Sequence, residues 1–177
     1  CRIDLVCVFA LDEFYHTRFI RDTRKVIKEI AHIPIIGEHE WATMSIPEML
    51  KFMVSDAGTV TVICRKAQEQ IAPYCNAGLT PQGIELTVMR NYGKRSGELK
   101  LGWVGNIRNP RKCVEDILIP GARGFNLRIG SGKLSVEELV DFYNSMDIIC
   151  ISSSVEGGPL PLLEGMACGC FPVVTDV

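Results

Sequence analysis

No two cysteines stand at the C-x-x-C spacing and no histidine lies beside a cysteine cluster, so a zinc site has no ligand set to draw on. The eight cysteines in 177 residues are also too sparse for a disulfide scaffold. Cys7, Cys64 and Cys150 fall inside apolar runs, where a thiol behaves as a small hydrophobe. This pattern predicts mostly buried free thiols in a reducing compartment. An excess of positive charge is missing too: Lys and Arg number 19 against 21 Asp and Glu, a net charge of -2. A polybasic nucleic-acid binder is excluded as the default, because no large positive field is available to displace counterions. No apolar run reaches the ~18 residues needed to span a bilayer, and the opening Cys1-Arg-Ile-Asp4 has no signal-peptide character. A nucleophile elbow of the G-x-S-x-G kind is absent. Gly132-Lys133 does not make a P-loop, since Leu127 stands where the first glycine belongs and Leu134 where Ser or Thr belongs.

What is present is the balance of a folded globular protein, with 47% hydrophobic and 23% charged residues. Short apolar runs alternate with amphipathic ones. Strands are expected at residues 3–10, 32–36, 59–64, 84–89, 99–104, 125–129, 147–151 and 171–174. Helices are expected at 12–30, 66–74, 110–118, 135–144 and 159–167, with a further capped start at Ser45-Ile-Pro47-Glu48. Ser135 and Glu138 have the spacing of a capping box. Strands alternating with helices imply parallel β-α-β units, hence an α/β fold with Rossmann-like parallel sheets and helices on both faces. The polar, Gly-bearing run Asn91–Gly97 reads as a boundary. It divides a partial N-terminal domain, 1–95, from a C-terminal domain, 96–177. The chain stops straight after a strand, where a doubly wound domain places a helix, so an incomplete domain is expected.

Two segments can carry chemistry. In Ser152–Pro172, a strand is followed by Gly157-Gly158-Pro159 and a short helix. Glycines leave amides unshielded, Pro suits the first helical position, and a helix N-terminus favours phosphate. Glu156 and Glu164 bracket that helix start, and carboxylates are natural acceptors for sugar and ribose hydroxyls. In an open parallel sheet such a turn lies where ligands bind, outside the carboxyl ends of the strands. An ordinary strand-turn-helix with two solvated acids fits the same residues. In Leu101–Cys113, a strand ends in Gly105 and a basic cluster follows at Arg108, Arg111 and Lys112. Glycine lets a diphosphate approach the backbone and the cations neutralise it; a solvated basic helix cap is the alternative.

The run Phe142-Tyr143-Asn144…Asp147…Ser153, then Glu156…Glu164, then Met166-Ala-Cys168-Gly169…Pro172-Val-Val-Thr-Asp176, resembles the retaining nucleotide-sugar glycosyltransferases of family 4. Their signature is E-x7-E and their fold is the two-domain GT-B type. Gly165 stands where the family usually has Ala, and Asn106 where it has a phosphate-binding Arg. The resemblance covers residues 58–177 and is specific from 99 onward. It implies transfer of a sugar, of the hexosyltransferase type, from a nucleotide diphosphate sugar to an acceptor hydroxyl with retention of configuration. It makes 1–95 the acceptor side and 96–177 the donor-binding domain. As catalytic residues it implies Glu156, Lys112 and Glu164, with Lys112 on the diphosphate, Glu156 on the sugar and Glu164 on the ribose. As donor-binding residues it implies Gly105, Asn106, Arg108, Arg111, Gly130, Ser154, Gly157, Gly158, Pro159 and Leu160. No metal and no cofactor are implied. The acceptor would be a glycan, a lipid-linked molecule or another hydroxyl compound, as in polysaccharide biosynthesis. A cytoplasmic location follows, with room for peripheral membrane contact and no nucleic-acid partner. His16 is the candidate for the histidine that contacts the donor sugar in such enzymes. A nucleotide-sugar or partner-binding module without turnover is the alternative. A flavodoxin-like signalling domain would need an acidic cluster at the strand ends, which Asp12, Glu13 and Asp147 do not obviously form.

Overall fold

A computed structural model describes residues 5–8, 28–33, 59–93, 95, 97–131 and 133–176, with the backbone alone at 5–8, 28–33, 59 and 131. Residues 12–27 of the helix expected over 12–30 lie outside the described residues, as do the capped start at Ser45–Glu48 and His16. The chain divides into two compact units, Cys1–Gln82 and Gly83–Val177.

In the first unit, β1 (Leu5–Val8), β2 (Lys28–Ile33), β3 (Thr59–Val62) and β4 (Gly78–Leu79) form a parallel sheet in that order. Lys28–Ile30, expected at the end of a helix, begin β2 instead, because their backbone is taken up by β1 and β3. Helix α1 (Arg65–Ile71) returns the chain from β3 to β4 and buries Ala67 and Ile71. Gln68 Nε2 ties it down by donating to the Ala77 carbonyl at 2.8 Å.

The second unit is a parallel sheet of β5 (Lys100–Gly105), β6 (Asn126–Ser131), β7 (Ile148–Ile151) and β8 (Phe171–Val174), ordered β6-β5-β7-β8. The order reverses at β5: β6 pairs on one side and β7 on the other, which puts the topological switch point at the carboxyl ends of β5 and β7. Both faces of the sheet are covered, as successive side chains on a strand require. Leu101 and Trp103 of β5 join Cys150, Val114 and Leu118 in one core. Ile149 joins Val140, Tyr143, Met146, Cys168 and Cys170 in the other. The parallel α/β architecture read from the sequence is therefore the one observed.

Helix α2 is reached through a broken path. The expected helix over 110–118 is a 3-10 turn at Pro110–Lys112, a left-handed residue at Cys113 (φ 46°), and a π-type turn at Val114–Leu118 that runs into α2 (Ile119–Gly121). The Asn109 side chain and Pro110 start a short turn, and the positive φ at Cys113 ends it. Helix α3 (Val136–Ser145) has the predicted capping box: Glu138 N–H donates to Ser135 Oγ and Ser135 N–H to Glu138 Oε2. Helix α4 (Leu160–Ala167) joins β7 to β8.

The strand expected over 84–89 is a turn. The carboxylate of Glu85 accepts from both Thr87 N–H and Thr87 Oγ1, and Met89 N–H bonds to the Glu85 carbonyl at 2.9 Å. Local side-chain acceptance outcompetes a ladder that no strand among the described residues offers. The segment after it is held to the rest of the second unit. Asn144, fully buried, accepts from Tyr92 N–H at 2.6 Å and donates to the carbonyls of Arg90 and Val140, both at 3.0 Å. Arg95 donates to the carbonyls of Met146, Gly169 (2.8 Å) and Cys168 (2.6 Å).

Removing the Asn144 amide strands buried backbone groups, each costing ~1–3 kcal/mol. Asn144→Ala is expected to lower stability by about 2–4 kcal/mol in urea unfolding. At Gly165, a Cβ would lie 2.9 Å from the Ile149 side chain. Gly165→Ala is therefore expected to destabilise the protein despite a helix-propensity gain of up to ~1 kcal/mol. In an Ile149→Ala background the penalty should shrink without vanishing, because Cγ1 and Cγ2 are gone while the Cβ, itself 2.9 Å away, remains; a double-mutant cycle reads the difference.

Candidate active site at the switch point

The loops leaving β5 and β7 meet, because the β5/β7 register brings their carboxyl ends to the same sheet edge. Three backbone-directed bonds join them. Ser152 Oγ donates to the Lys112 carbonyl at 2.6 Å, while Ser154 N–H and Oγ donate to the Arg111 carbonyl at 2.8 and 3.4 Å. The serine run thus satisfies main-chain groups at the strand end. Ser152 and Ser153 are both buried.

On this scaffold Lys112 Nζ and Glu156 Oε1 form an ion pair, with side-chain exposures of 28% and 16%. Ser153 Oγ donates to the same Glu156 oxygen at 2.6 Å. The cation therefore comes from the β5 loop, the acid from the β7 loop, and a buried hydroxyl fixes the acid's orientation. Thr175, just past β8, buttresses the floor by donating to the Ser153 carbonyl at 2.5 Å. A cleft of about 190 Å³ lies beside Glu156, lined by Ile151, Gly158, Pro159, Leu162, Val174 and Thr175.

The remaining expected residues are placed as follows. Gly105 has a φ of 157°, and a Cβ there would come 3.0 Å from the Trp103 ring. Asn106 Oδ1 accepts from Arg108 N–H at 3.1 Å, so its carboxamide oxygen shapes the turn. Arg108 is exposed and Arg111 half-buried. Gly130 is buried on β6, where a Cβ would touch Val104, Leu134 and Phe142. Helix α4 has no side-chain cap, and Pro159 and Pro161 have no N–H, so Gly157, Gly158 and Leu160 are the residues whose amides its start can offer. Glu164 does not join the Lys112–Glu156 pair. Its Oε2 accepts from the Tyr143 hydroxyl of α3 at 2.8 Å. Burial first, and then the neighbouring Glu164 carboxylate, hold the Tyr143 phenol far above its ordinary pKa. Burial likewise raises the thiols of Cys150, Cys168 and Cys170, which keeps them protonated and inert.

Tyr143, Ser153 and Thr175 were not singled out as site residues by sequence reasoning. All three stand in the runs that carry the family resemblance, but those runs assign them no role, and a tyrosine on an apolar helix face reads as core. Among the described residues no group of three or more His, Cys, Asp or Glu could hold a metal ion. No helix among them is long and apolar enough to cross a membrane.

Residues 129–177 match the family model described as glycosyl transferases group 1. No curated protein matches. Among solved structures, the chain is similar to a sucrose-phosphate synthase from Thermosynechococcus elongatus, with a TM-score of 0.78 and 16% identity over 97% of this chain and 55% of that one. It is also similar to Anabaena HepE, solved in complex with UDP and glucose (TM-score 0.67, 11% identity, 97% of this chain and 58% of that one). A second HepE structure, with UDP-glucose, gives a TM-score of 0.68 and 10% identity over 97% of this chain and 59% of that one. The chain thus spans a little over half the length of these proteins.

The ion pair is partly buried and charge-assisted, so its partners should be coupled. A double-mutant cycle of Lys112→Ala and Glu156→Ala is expected to give an interaction of about 1–3 kcal/mol in unfolding free energy. Additive effects would mean that the pair does not hold the two loops together.

Proposed function

We propose that this chain is part of a retaining glycosyltransferase that moves a sugar, of the hexosyl type, from a nucleotide diphosphate sugar to an acceptor hydroxyl. The observation that carries the reading is the placement of Lys112 beside Glu156 at the switch point of a parallel sheet. In a nucleotide sugar the diphosphate and the sugar hydroxyls are neighbours. A site for that junction needs a cation and a hydroxyl acceptor side by side, each supplied from a different strand end. Without a donor the two side chains neutralise each other. With a donor the diphosphate takes the lysine, and Glu156, still bonded to Ser153, accepts from sugar hydroxyls.

The match to group 1 glycosyl transferases and the UDP and UDP-glucose held by similar folds support the same reading. In it, residues 96–177 bind the donor and 1–95 face the acceptor. As the bond from the anomeric carbon to the diphosphate oxygen breaks, negative charge grows on the leaving group. Lys112 and the amides of Gly157, Gly158 and Leu160 meet that charge, with Arg108 or Arg111 in support. The acceptor oxygen bonds to the anomeric carbon on the face that the diphosphate leaves, and its proton passes to the departing diphosphate oxygen. Gly105 lets the backbone come close, Asn106 and Ser154 shape the two loops, Gly130 keeps β6 against α3, and Glu164 takes the ribose. Such transfer needs no cofactor beyond the nucleotide sugar itself.

In the full-length protein, Lys112→Ala is expected to lower transfer from a nucleotide sugar by ~10²–10³-fold, the cost of removing one charge-stabilising group. Glu156→Ala is expected to do the same while circular dichroism stays that of the folded protein. Wild-type transfer rates in either variant would overturn the assignment.

A further inference from the structure

Glu164 has a flexible side chain on a surface helix, and such a carboxylate loses up to ~2 kcal/mol of rotamer freedom when it is fixed. Its hydrogen-bond partner among the described residues is the hydroxyl of Tyr143. That phenol is unusually well held. Tyr143 is fully buried and sits edge-on to Phe142, with ring centroids 5.9 Å apart at 76°. Around it lie Val140, Met146, Ile149, Cys168 and Cys170. Its own carbonyl accepts from Met146 N–H at 3.1 Å and from Cys170 Sγ at 3.2 Å. The helix that carries Glu164 is equally constrained, because Gly165 rides directly on Ile149 with no room for a methyl group. One rigid donor, on α3, therefore meets one otherwise mobile acceptor, on α4, and takes a single oxygen of it.

We propose that Tyr143 is a positioning residue for nucleotide recognition: by donating to Glu164 Oε2 it turns Oε1 of the same carboxylate toward a ribose hydroxyl of the donor. This rests on the reading of Glu164 as the ribose-binding acid. The phenol suits the task. Its proton stays in place across the working pH range because burial opposes ionisation, so the hydroxyl remains a donor and Glu164 remains an acceptor. A carboxylate pre-set in this way binds a vicinal diol without a further entropy cost at the moment of binding.

The test compares a ribonucleoside diphosphate (whichever of UDP, GDP and ADP binds) with its 2′,3′-dideoxy counterpart, by calorimetry on the full-length protein. Wild type should prefer the ribonucleotide by about tenfold or more, the worth of a hydrogen bond to a charged group. Glu164→Ala should remove the preference. Tyr143→Phe should shrink it to about twofold by weakening only the ribonucleotide, and should raise the donor KM more than it lowers kcat. If Glu164→Ala loses the preference and Tyr143→Phe keeps it, the tyrosine merely fills the core and the proposal is wrong. If Glu164→Ala keeps the preference, or none of the three nucleotides binds, the ribose reading of Glu164 fails and takes the proposal with it. Should Tyr143→Phe not fold, 3-fluorotyrosine at position 143 replaces it. Its ¹⁹F resonance is expected to move with the ribonucleotide and not with the dideoxy form, and equal shifts or none contradict the proposal.

Discussion

The contact between the loop leaving β5 and the loop leaving β7 is the constraint on which everything else rests. The parallel register levels the two strand ends, and the sheet order places those ends at its point of reversal. Ser152 and Ser154 then bind the backbone of Arg111 and Lys112 to the β7 loop. Only with that seam closed can a lysine from one loop and a glutamate from the other share an ion pair. The seam is made of main-chain acceptors and short hydroxyl side chains, so it is stiff, and it costs little conformational entropy to maintain.

Around the seam, packing sets the distances. Trp103 fills one face of the sheet and presses on Gly105, which fixes where the β5 loop begins. Ile149 fills the other face and meets Gly165, which fixes how closely α4 approaches the sheet. The two glutamates therefore hang from one short strand-turn-helix yet engage different neighbours. Glu156 is held by the β5 loop and Ser153, and Glu164 by α3 through Tyr143. In the proposed function a nucleotide sugar spans both, with its sugar at Glu156 and its ribose at Glu164.

Much of the second unit was legible in the sequence because local and global signals agree there. The Ser135–Glu138 box starts α3 where expected, and the apolar runs at Ile148–Ile151 and Phe171–Val174 are strands. Ile84–Met89 misled because its β-branched and apolar residues have the composition of a strand while Glu85 closes a turn on Thr87. The helix expected over 110–118 broke at Cys113, a positive-φ position that nothing in the residue type announces. Lys112 and Glu156, singled out in two separate segments by the family resemblance, are brought together, whereas Glu164 is held elsewhere by Tyr143. The supports were not legible: Asn144, Arg95, Tyr143 and Thr175 act across more than twenty residues of chain, and no window along the sequence contains both partners.

The most direct measurement is a crystal structure of the full-length protein with a nucleoside diphosphate bound. The account predicts a phosphate oxygen of the diphosphate at hydrogen-bond distance from Lys112 Nζ, about 2.7–3.2 Å, with the lysine drawn off Glu156 and the ribose next to Glu164. A nucleotide seated away from the carboxyl ends of β5 and β7, with Lys112 and Glu156 still paired, would contradict it.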